Sequence, residues 1–235
     1  MHIDTLPFLR LLQLADSALP IGSTAHSFGL ESITVEDNLS VEQLEVFLQD
    51  YLTTNGELES VFCRSGHRLA AISDSEQFRF EWINLNTRLS AFKMARESRT
   101  ASATLGRRFL QLVTALEETP RLQEALQLAR MQHTDIHYSI AFGLVGAILM
   151  IDETTTLLAY LQQSLSGLIS TCQRLLPLGQ NQASGIIWRL KTTVADIAET
   201  SIYATQHPEE LTLFTPLLDI GGMRHPMLPT RLFIS

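Results

Sequence analysis

The chain has 235 residues, of which 45% are hydrophobic and 18% are charged, and its formal net charge is −8. This apolar composition is typical of a globular protein rather than a disordered one, and the length is sufficient to bury a full core. The acidic balance argues against general binding to nucleic acid or to an anionic membrane, because both require a basic face.

The cysteine pattern indicates a reducing compartment, and the apolar runs are too short to predict a membrane segment. Cys63 and Cys172 are far apart in sequence, so neither a disulfide framework nor a zinc site is expected. The first residues lack the basic and apolar regions of a signal peptide. The longest apolar run, 140–151, is shorter than the roughly 20 residues that span a bilayer. We therefore expect a cytoplasmic protein without a membrane segment.

The first predicted element is a short apolar helix over residues 6–14, and Pro20 and Gly22 then indicate a tight loop. His26 and Glu31 follow on either side of a glycine. This arrangement fits either a pair of catalytic side chains or a turn that begins a helix. One isolated histidine beside a turn is weak evidence for a catalytic site, so the turn is the favoured interpretation.

Two capping signals predict the next helices. Ser40 and Gln43 have the spacing of a capping box, which predicts a helix that ends near Asn55–Gly56. From Glu57 the apolar spacing predicts a second helix packed back on the first. The Ser73–Ser75 cluster predicts the cap of a further helix with an aromatic face.

Residues 95–112 are rich in small side chains and arginines, which predicts a closely packed helix. Two interpretations of its arginines remain open. In the first, the arginines pair with acidic neighbours, which the acidic net charge favours. In the second, they bind an anion through their forked donors. The arginines concerned are Arg96, Arg99, Arg107 and Arg108.

A histidine pair precedes the most apolar run. A short helix is predicted after Pro120, and His133 and His137 then stand four residues apart. On a helix they would share a face and could reach one metal ion, but no third ligand is apparent nearby. Capping and packing are therefore favoured over metal binding. Gly143 and Gly146 in the run that follows predict a helix crossed closely by a neighbour.

The remaining elements are also helical. A long helix is predicted over residues 157–176, interrupted at Gly167 and ended by Pro177, and another helix follows it through Ile197. A short turn is predicted to begin at His207–Pro208. Alternating strand patterns, repeats and linkers are absent from the sequence. The expected fold is all-α, a single helical-bundle domain of about ten helices over residues 1–235.

The last stretch, residues 216–235, combines an apolar composition with interleaved basic side chains. Its three prolines and the Gly221–Gly222 pair argue against one continuous helix. A terminus of this composition is either tied down on its own domain or folds onto another protein. We therefore treat it as a candidate docking segment.

Sequence motifs for common catalytic and nucleotide-binding sites are missing. The chain has no Gly-Lys dipeptide, which a P-loop requires, and no GxSxG, HExxH, dinucleotide-binding or EF-hand pattern. We therefore expect no enzymatic activity, no catalytic residues, no cofactor and no metal site.

Several motifs, in order along nearly the whole chain, resemble those of the UreF family of urease accessory proteins. The motifs are Leu11–Gly22 with Ser27–Glu31, Arg96–Arg99 with Leu105–Arg108, His137 with Ala141–Gly143, Leu176–Gln180, Pro216–Ile220, Met223–His225 and Thr230–Phe233. The chain departs from the usual family pattern at His26, Pro226 and Ile234. His26 replaces a common tyrosine, Pro226 a common acidic residue and Ile234 a basic residue.

The resemblance implies an all-helical homodimer that binds the accessory protein UreD, also called UreH. It implies that this complex recruits the nickel-carrying GTPase UreG and helps deliver nickel to apo-urease. It further implies that the C-terminal segment docks on UreD/UreH and becomes ordered there. The candidate partner-binding residues are His26, Glu31, Met223, Arg224, His225, Arg231, Leu232 and Phe233.

Two other hypotheses remain. The first is a helical enzyme or metal-binding protein that uses scattered histidines, namely His26, His133, His137 and His225. The second is a narrower form of the accessory role, in which Arg224 or Arg231 is inserted into the GTPase. An arginine in that position can stabilise the charge on a transferring phosphate and accelerate hydrolysis by about a thousandfold or more.

Overall fold

The structure is a computed structural model that describes residues 5–207, 211 and 216–234. Within these residues all regular secondary structure is helical. The all-α fold expected from the sequence is therefore confirmed. The α-helices are α1 (Thr5–Leu14), α2 (Leu30–Glu36), α3 (Leu44–Tyr51), α4 (Glu57–Arg68), α5 (Ser75–Phe92), α6 (Arg96–Leu116), α7 (Pro120–Met131), α8 (Tyr138–Ile148), α9 (Glu153–Leu175), α10 (Gln180–Arg189), α11 (Lys191–Gln206) and α12 (Pro216–Arg224).

The core is built around α8, in which every residue from Tyr138 to Gly146 is buried. α4 and α6 pack directly on this helix. A Cβ at Gly143 would collide with the Cys63 carbonyl oxygen of α4, so the close crossing predicted from this glycine is confirmed. On the α6 side, the rings of Phe109 and Phe142 stack with their centroids 5.3 Å apart. The most apolar run of the sequence is thus the central helix of the bundle.

The chain continues from α3 into α4 without turning back, so the predicted break at Asn55–Gly56 is wrong. Leu52–Gly56 form a π-helical turn, and Gly56 keeps helical dihedral angles of φ −63° and ψ −38°. The hydroxyls of Thr53 and Thr54 donate to backbone carbonyls of the preceding turn. A glycine inside a helix costs only about 1 kcal/mol, which the packing of the flanking turns offsets.

Helix caps were predicted with mixed success. Asp74 caps α5 by accepting a hydrogen bond of 2.7 Å from the Gln77 N–H, as the Ser73–Ser75 cluster predicted. The Ser40 N–H donates to the Gln43 side chain over 3.1 Å, but α3 begins only at Leu44 because residues 41–43 form a turn. The predicted interruption at Gly167 is wrong, since α9 runs through it.

The arginines of α6 do not pair with acidic neighbours in the described part of the chain. Arg99 donates to the Lys93 carbonyl over 3.0 Å and Arg108 to the Ile21 carbonyl over 3.3 Å. For Arg99 and Arg108 the favoured interpretation is therefore wrong, because both satisfy backbone carbonyls outside the helices. The close packing predicted for α6 is confirmed, since a Cβ at Gly106 would collide with the Ile136 carbonyl.

The C-terminal segment is not one continuous helix, as predicted. α12 ends at Arg224, and a 3-10 turn follows over His225–Met227. Gly221 and Gly222 nevertheless lie inside α12, so they do not interrupt it. The turn predicted at His207–Pro208 lies partly outside the described residues. Within those residues, no helix combines the length and the hydropathy needed to cross a bilayer.

Candidate partner-binding site

The C-terminal segment, residues 216–234, packs on α2 and on the start of α6. Gly29 precedes α2 with a φ of 86°, a conformation that favours glycine. A Cβ at Gly29 would lie 3.0 Å from both the Gly222 nitrogen and the Leu218 carbonyl oxygen, and one at Gly221 would lie 2.9 Å from the Gly29 carbonyl oxygen. Glycines on both sides thus let the two backbones touch, which fixes the position of α12.

His225 is the most deeply buried polar residue of the segment, with 0% of its surface exposed. Its Nε2 lies 2.8 Å from Oε2 of Glu31 on α2, and its Nδ1 lies 2.8 Å from Oε2 of Glu97 on α6. The second contact is not aligned as a hydrogen bond, and neither of its atoms has another partner. The ring can serve both carboxylates as a donor only when both nitrogens carry a proton. A single imidazole therefore lies between a carboxylate of α2 and a carboxylate of α6.

Glu31 also holds the chain beyond the 3-10 turn. Its Oε1 accepts from the Leu232 N–H over 2.6 Å, and its Oε2 accepts from the Phe233 N–H over 3.2 Å. The Ile234 N–H donates to the Ala25 carbonyl over 2.8 Å. One buried carboxylate thus satisfies backbone donors that an irregular segment would otherwise leave unpaired.

Phe233 is the apolar anchor at the end of the segment. Its side chain is buried, and the Arg174 guanidinium lies over its ring, 4.2 Å from the ring centroid. The same guanidinium donates to the Thr24 carbonyl over 2.7 Å. A cation above an aromatic face stabilises by about 0.5–1 kcal/mol where it is exposed. Arg174 therefore connects α9, the loop before α2 and the chain terminus.

The outer face of the segment is apolar and exposed. Met227 is 72% and Leu232 60% accessible, and Ile234 and Met223 are exposed as well. The inward side chains fix the segment while these outward ones remain available. Arg224 lies 3.6 Å from Glu36 and 3.7 Å from Asp37, and Arg231 is exposed. Among the predicted site residues, the structure therefore brings Glu31, His225 and Phe233 together beneath the segment. It leaves Met223, Arg224, Arg231 and Leu232 on the surface and buries His26 elsewhere.

His26 lies beside the C-terminal segment and is not one of the residues that hold it in place. It lines an internal cavity of about 110 Å³ together with Leu218 and Asp219 of α12. Burial and the nearby Arg108 guanidinium lower the pKa of its imidazole. Deeper in the cavity, the Lys93 ammonium donates to the buried Glu59 carboxylate. Burial would raise the pKa of Glu59, but the attraction of Lys93 outweighs it and holds the pKa below its usual value.

Sequence reasoning missed several residues that hold the segment. Glu97 belongs to the Arg-Glu-Ser-Arg motif, and Gly29 belongs to the Ser-Phe-Gly-Leu-Glu motif, so both stood inside motifs that carried the family resemblance. Neither was assigned a role, because pairing across the chain is invisible in local spacing. For Arg174 no signal in the sequence indicates its contact with Phe233.

The histidines do not form a metal site in the described part of the chain, where no three potential ligands converge. His133 and His137 do not share a helix, because His133 lies in the turn after α7 with a φ of 52° and His137 caps α8. Burial, followed by the Lys93 ammonium, lowers the pKa of His137 to about 3. The carboxylates at His225 lie on opposite nitrogens and do not converge on one point.

Comparisons with known proteins agree with these motifs. The UreF family model matches residues 39–191. A urease accessory protein UreF from Actinobacillus pleuropneumoniae serotype 5b (strain L20) is 30% identical over 227 residues, covering 96% of this chain and 97% of the relative. Proteins of the same name from Geobacillus kaustophilus (strain HTA426) and Picosynechococcus sp. (strain ATCC 27264) are 31% and 33% identical, each over 97% of this chain and 97% and 99% of the relative. The chain therefore belongs to the UreF family of urease accessory proteins.

Proposed function

We propose that the protein is a non-enzymatic scaffold of urease maturation. It binds UreD/UreH through its C-terminal segment, recruits the GTPase UreG, and so promotes nickel insertion into apo-urease. It acts as a single domain and a homodimer in the cytoplasm. Family membership supports the accessory role, and the geometry of the C-terminal segment supports the docking surface.

The observation that carries the proposal is the two-sided character of the segment. His225 and Phe233 point inward and are buried, whereas Met223, Met227 and Leu232 point outward and are exposed. Large apolar side chains clustered on a short exposed segment are typical of a protein interface. A segment already fixed on its own domain loses little conformational entropy when a partner binds, which favours affinity.

The proposed experiment separates docking from folding. The protein is co-expressed with UreD/UreH and UreG from the same source, either as wild type, truncated before Pro216, or with Met227→Ser and Leu232→Ser together. Both changes are expected to abolish copurification with UreD/UreH and urease activation. The double substitution is expected to leave the melting temperature nearly unchanged, because both side chains are exposed.

The matched control is the pair Val46→Ser and Met150→Ser, two exposed apolar residues on α3 and after α8. This control is expected to retain both copurification and activation. If the truncated protein still bound UreD/UreH and activated urease, the proposed docking role of the segment would be wrong.

A further inference from the structure

A second surface of the protein lies between α6 and α7. A groove of about 590 Å³ runs between these helices and the turn after α7. We call it the cationic groove and define it by Arg107, Gln111 and Thr114 on α6 and by Gln123, Gln127 and Arg130 on α7. On each helix the defining residues follow the i, i+4, i+7 spacing of one face. Two facing stripes of polar side chains thus form its walls.

The positive charges are concentrated at one end of the groove. Only residues 117–119 join α6 to α7, so the two helices run antiparallel. Thr114 therefore lies opposite Gln123, whereas Arg107 lies opposite Arg130. His133, in the turn after α7, also lines the groove. The two guanidiniums and the imidazole thus share the end that is farther from the connecting loop.

No ion pair neutralises this end in the described residues, although Asp135 lines a neighbouring pocket together with Arg107. In the described residues, no carboxylate lies within 4.0 Å of Arg107 or Arg130, and no carboxylate lines the groove. By contrast, Arg64, Arg121 and Arg189 each pair with a glutamate. A solvated helix face ordinarily mixes both signs of charge. The two facing arginines therefore form a local excess of positive charge in a chain with a net charge of −8.

His133 occupies a position that usually belongs to glycine. The Thr134 N–H donates to the Ala129 carbonyl over 3.0 Å, and His133 between them has a φ of 52°. This is the geometry of a Schellman motif, whose left-handed residue is commonly glycine. A side chain there costs roughly 1–2 kcal/mol. The chain thus places an imidazole at the groove at the expense of local stability.

We propose that the cationic groove docks an acidic segment of a partner protein, whose carboxylates pair with Arg107 and Arg130. Guanidinium groups bind carboxylates through parallel hydrogen bonds, and the glutamine side chains along the walls can pair with the backbone of the bound segment. Nucleic acid fits the surface poorly, because its affinity depends on neutralising many phosphates and the lining of the groove contains two arginines. The groove is separate from the C-terminal segment, so both surfaces can be occupied together.

The first test uses the isolated protein and a fluorescein-labelled oligoglutamate peptide, with fluorescence anisotropy measured at low ionic strength. Arg107→Glu together with Arg130→Glu is expected to weaken binding at least about tenfold. Arg79→Glu together with Arg88→Glu changes the net charge equally on α5 and is expected to leave binding unchanged. Because Arg130 also lies in the last turn of α7, where a cation interacts favourably with the helix dipole, thermal stability is measured in parallel.

Two results of this test would overturn the proposal. One is equal binding by the groove variant and the α5 variant, which would show general electrostatics. The other is tighter binding of an oligothymidylate of the same length, which would show a nucleic-acid surface. Both results are read on proteins whose melting temperatures match the wild type, and His133→Gln serves as a milder second variant if the charge reversal unfolds the chain.

The second test rests on the proposed function, since it uses the complex with UreD/UreH and UreG. Arg130→Lys keeps the charge and introduces an amine, which a carbodiimide couples directly to a touching carboxylate. Mass spectrometry is expected to find position 130 joined to an aspartate or glutamate of a partner, and Arg79→Lys to give no such product. Coupling only within the same chain would overturn the proposal. If the complex fails to form but oligoglutamate binding still depends on the groove, the proposed function is wrong and the proposal that the groove binds acidic segments is retained.

Discussion

His225 and Glu31 meet inside the protein, with 2.8 Å between Nε2 and Oε2, although they stand 194 positions apart in sequence. This contact joins the chain terminus to the start of α2. Both side chains are buried, so water does not replace either partner if the other is removed. The position of the C-terminal segment therefore depends on this pair more than on its exposed apolar side chains.

Replacing His225 by alanine is expected to release the segment from the domain. Removing one partner of a buried hydrogen bond typically costs about 1–3 kcal/mol, because the remaining polar group is left unsatisfied. Hydrogen exchange of the amides from residue 225 to residue 234 should become much faster, while exchange in α8 stays slow. Arg224→Ala is the control, since that side chain is exposed. Equal protection in the two variants would contradict the role assigned to His225.

Glu31→Gln is expected to weaken the same docking and to do so non-additively with His225→Ala. Glu31 accepts from the His225 ring and from the Leu232 and Phe233 amides, and a neutral amide oxygen is a weaker acceptor than a carboxylate. A double-mutant cycle measured by hydrogen exchange should give a coupling energy of about 1–3 kcal/mol. Glu36→Gln is the matched control on the same helix. Simple additivity would show that the two side chains act independently.

Substitutions at Gly29 and Gly167 form a matched pair with opposite expected effects on the stability of the fold. Gly29→Ala is expected to destabilise by about 1–3 kcal/mol, because φ is 86° and a Cβ would press on the α12 backbone. Gly167→Ala is expected to stabilise by up to about 1 kcal/mol, because Gly167 lies inside α9 with nothing within 4 Å of its Cβ position. Urea denaturation of both variants checks the opposite signs. Destabilisation by both would contradict this assignment.

The helices and the central position of α8 could be predicted because they depend on local periodicity. The apolar run with Gly143 indicated both the helix and its close crossing, and Asp74 lay within the predicted cap cluster. The sequence predicts helix breaks at Gly56, at Gly167 and at the Gly221–Gly222 pair, but all of these glycines lie inside helical segments. At those positions the packing of neighbouring turns outweighs a propensity cost of about 1 kcal/mol.

The contacts that hold the C-terminal segment in place could be predicted only in part. Glu31 and His225 were named from motifs, but their mutual contact is set by packing between elements far apart in the chain. Glu97 and Arg174 were missed for the same reason. The lack of an ion pair at Arg107 and Arg130 within the described residues could not be predicted either, because a sequence does not show which carboxylates lie within reach of an arginine.

The pH dependence of stability should reveal the buried His137. Its Nε2 lies 2.8 Å from the Ser90 hydroxyl and its Nδ1 3.0 Å from the Ser102 hydroxyl, and burial with the nearby Lys93 lowers its pKa from 6.5 to about 3. The unfolded chain therefore binds a proton near pH 6.5 that the folded protein excludes until about pH 3. Stability from this group is complete above pH 6.5 and declines as the pH falls towards 3, by up to about 1.4 kcal/mol per pH unit.

Urea denaturation between pH 7.5 and pH 5 tests this expectation. Between pH 7.5 and pH 5 the stabilisation from Glu59 stays complete, because the pKa of Glu59 in the folded protein is lowered from its usual value of 4.5. His137→Gln should remove about one proton from the slope of unfolding free energy against pH, whatever its effect on stability at pH 7.5. Identical slopes in wild type and His137→Gln would show that His137 does not titrate on unfolding.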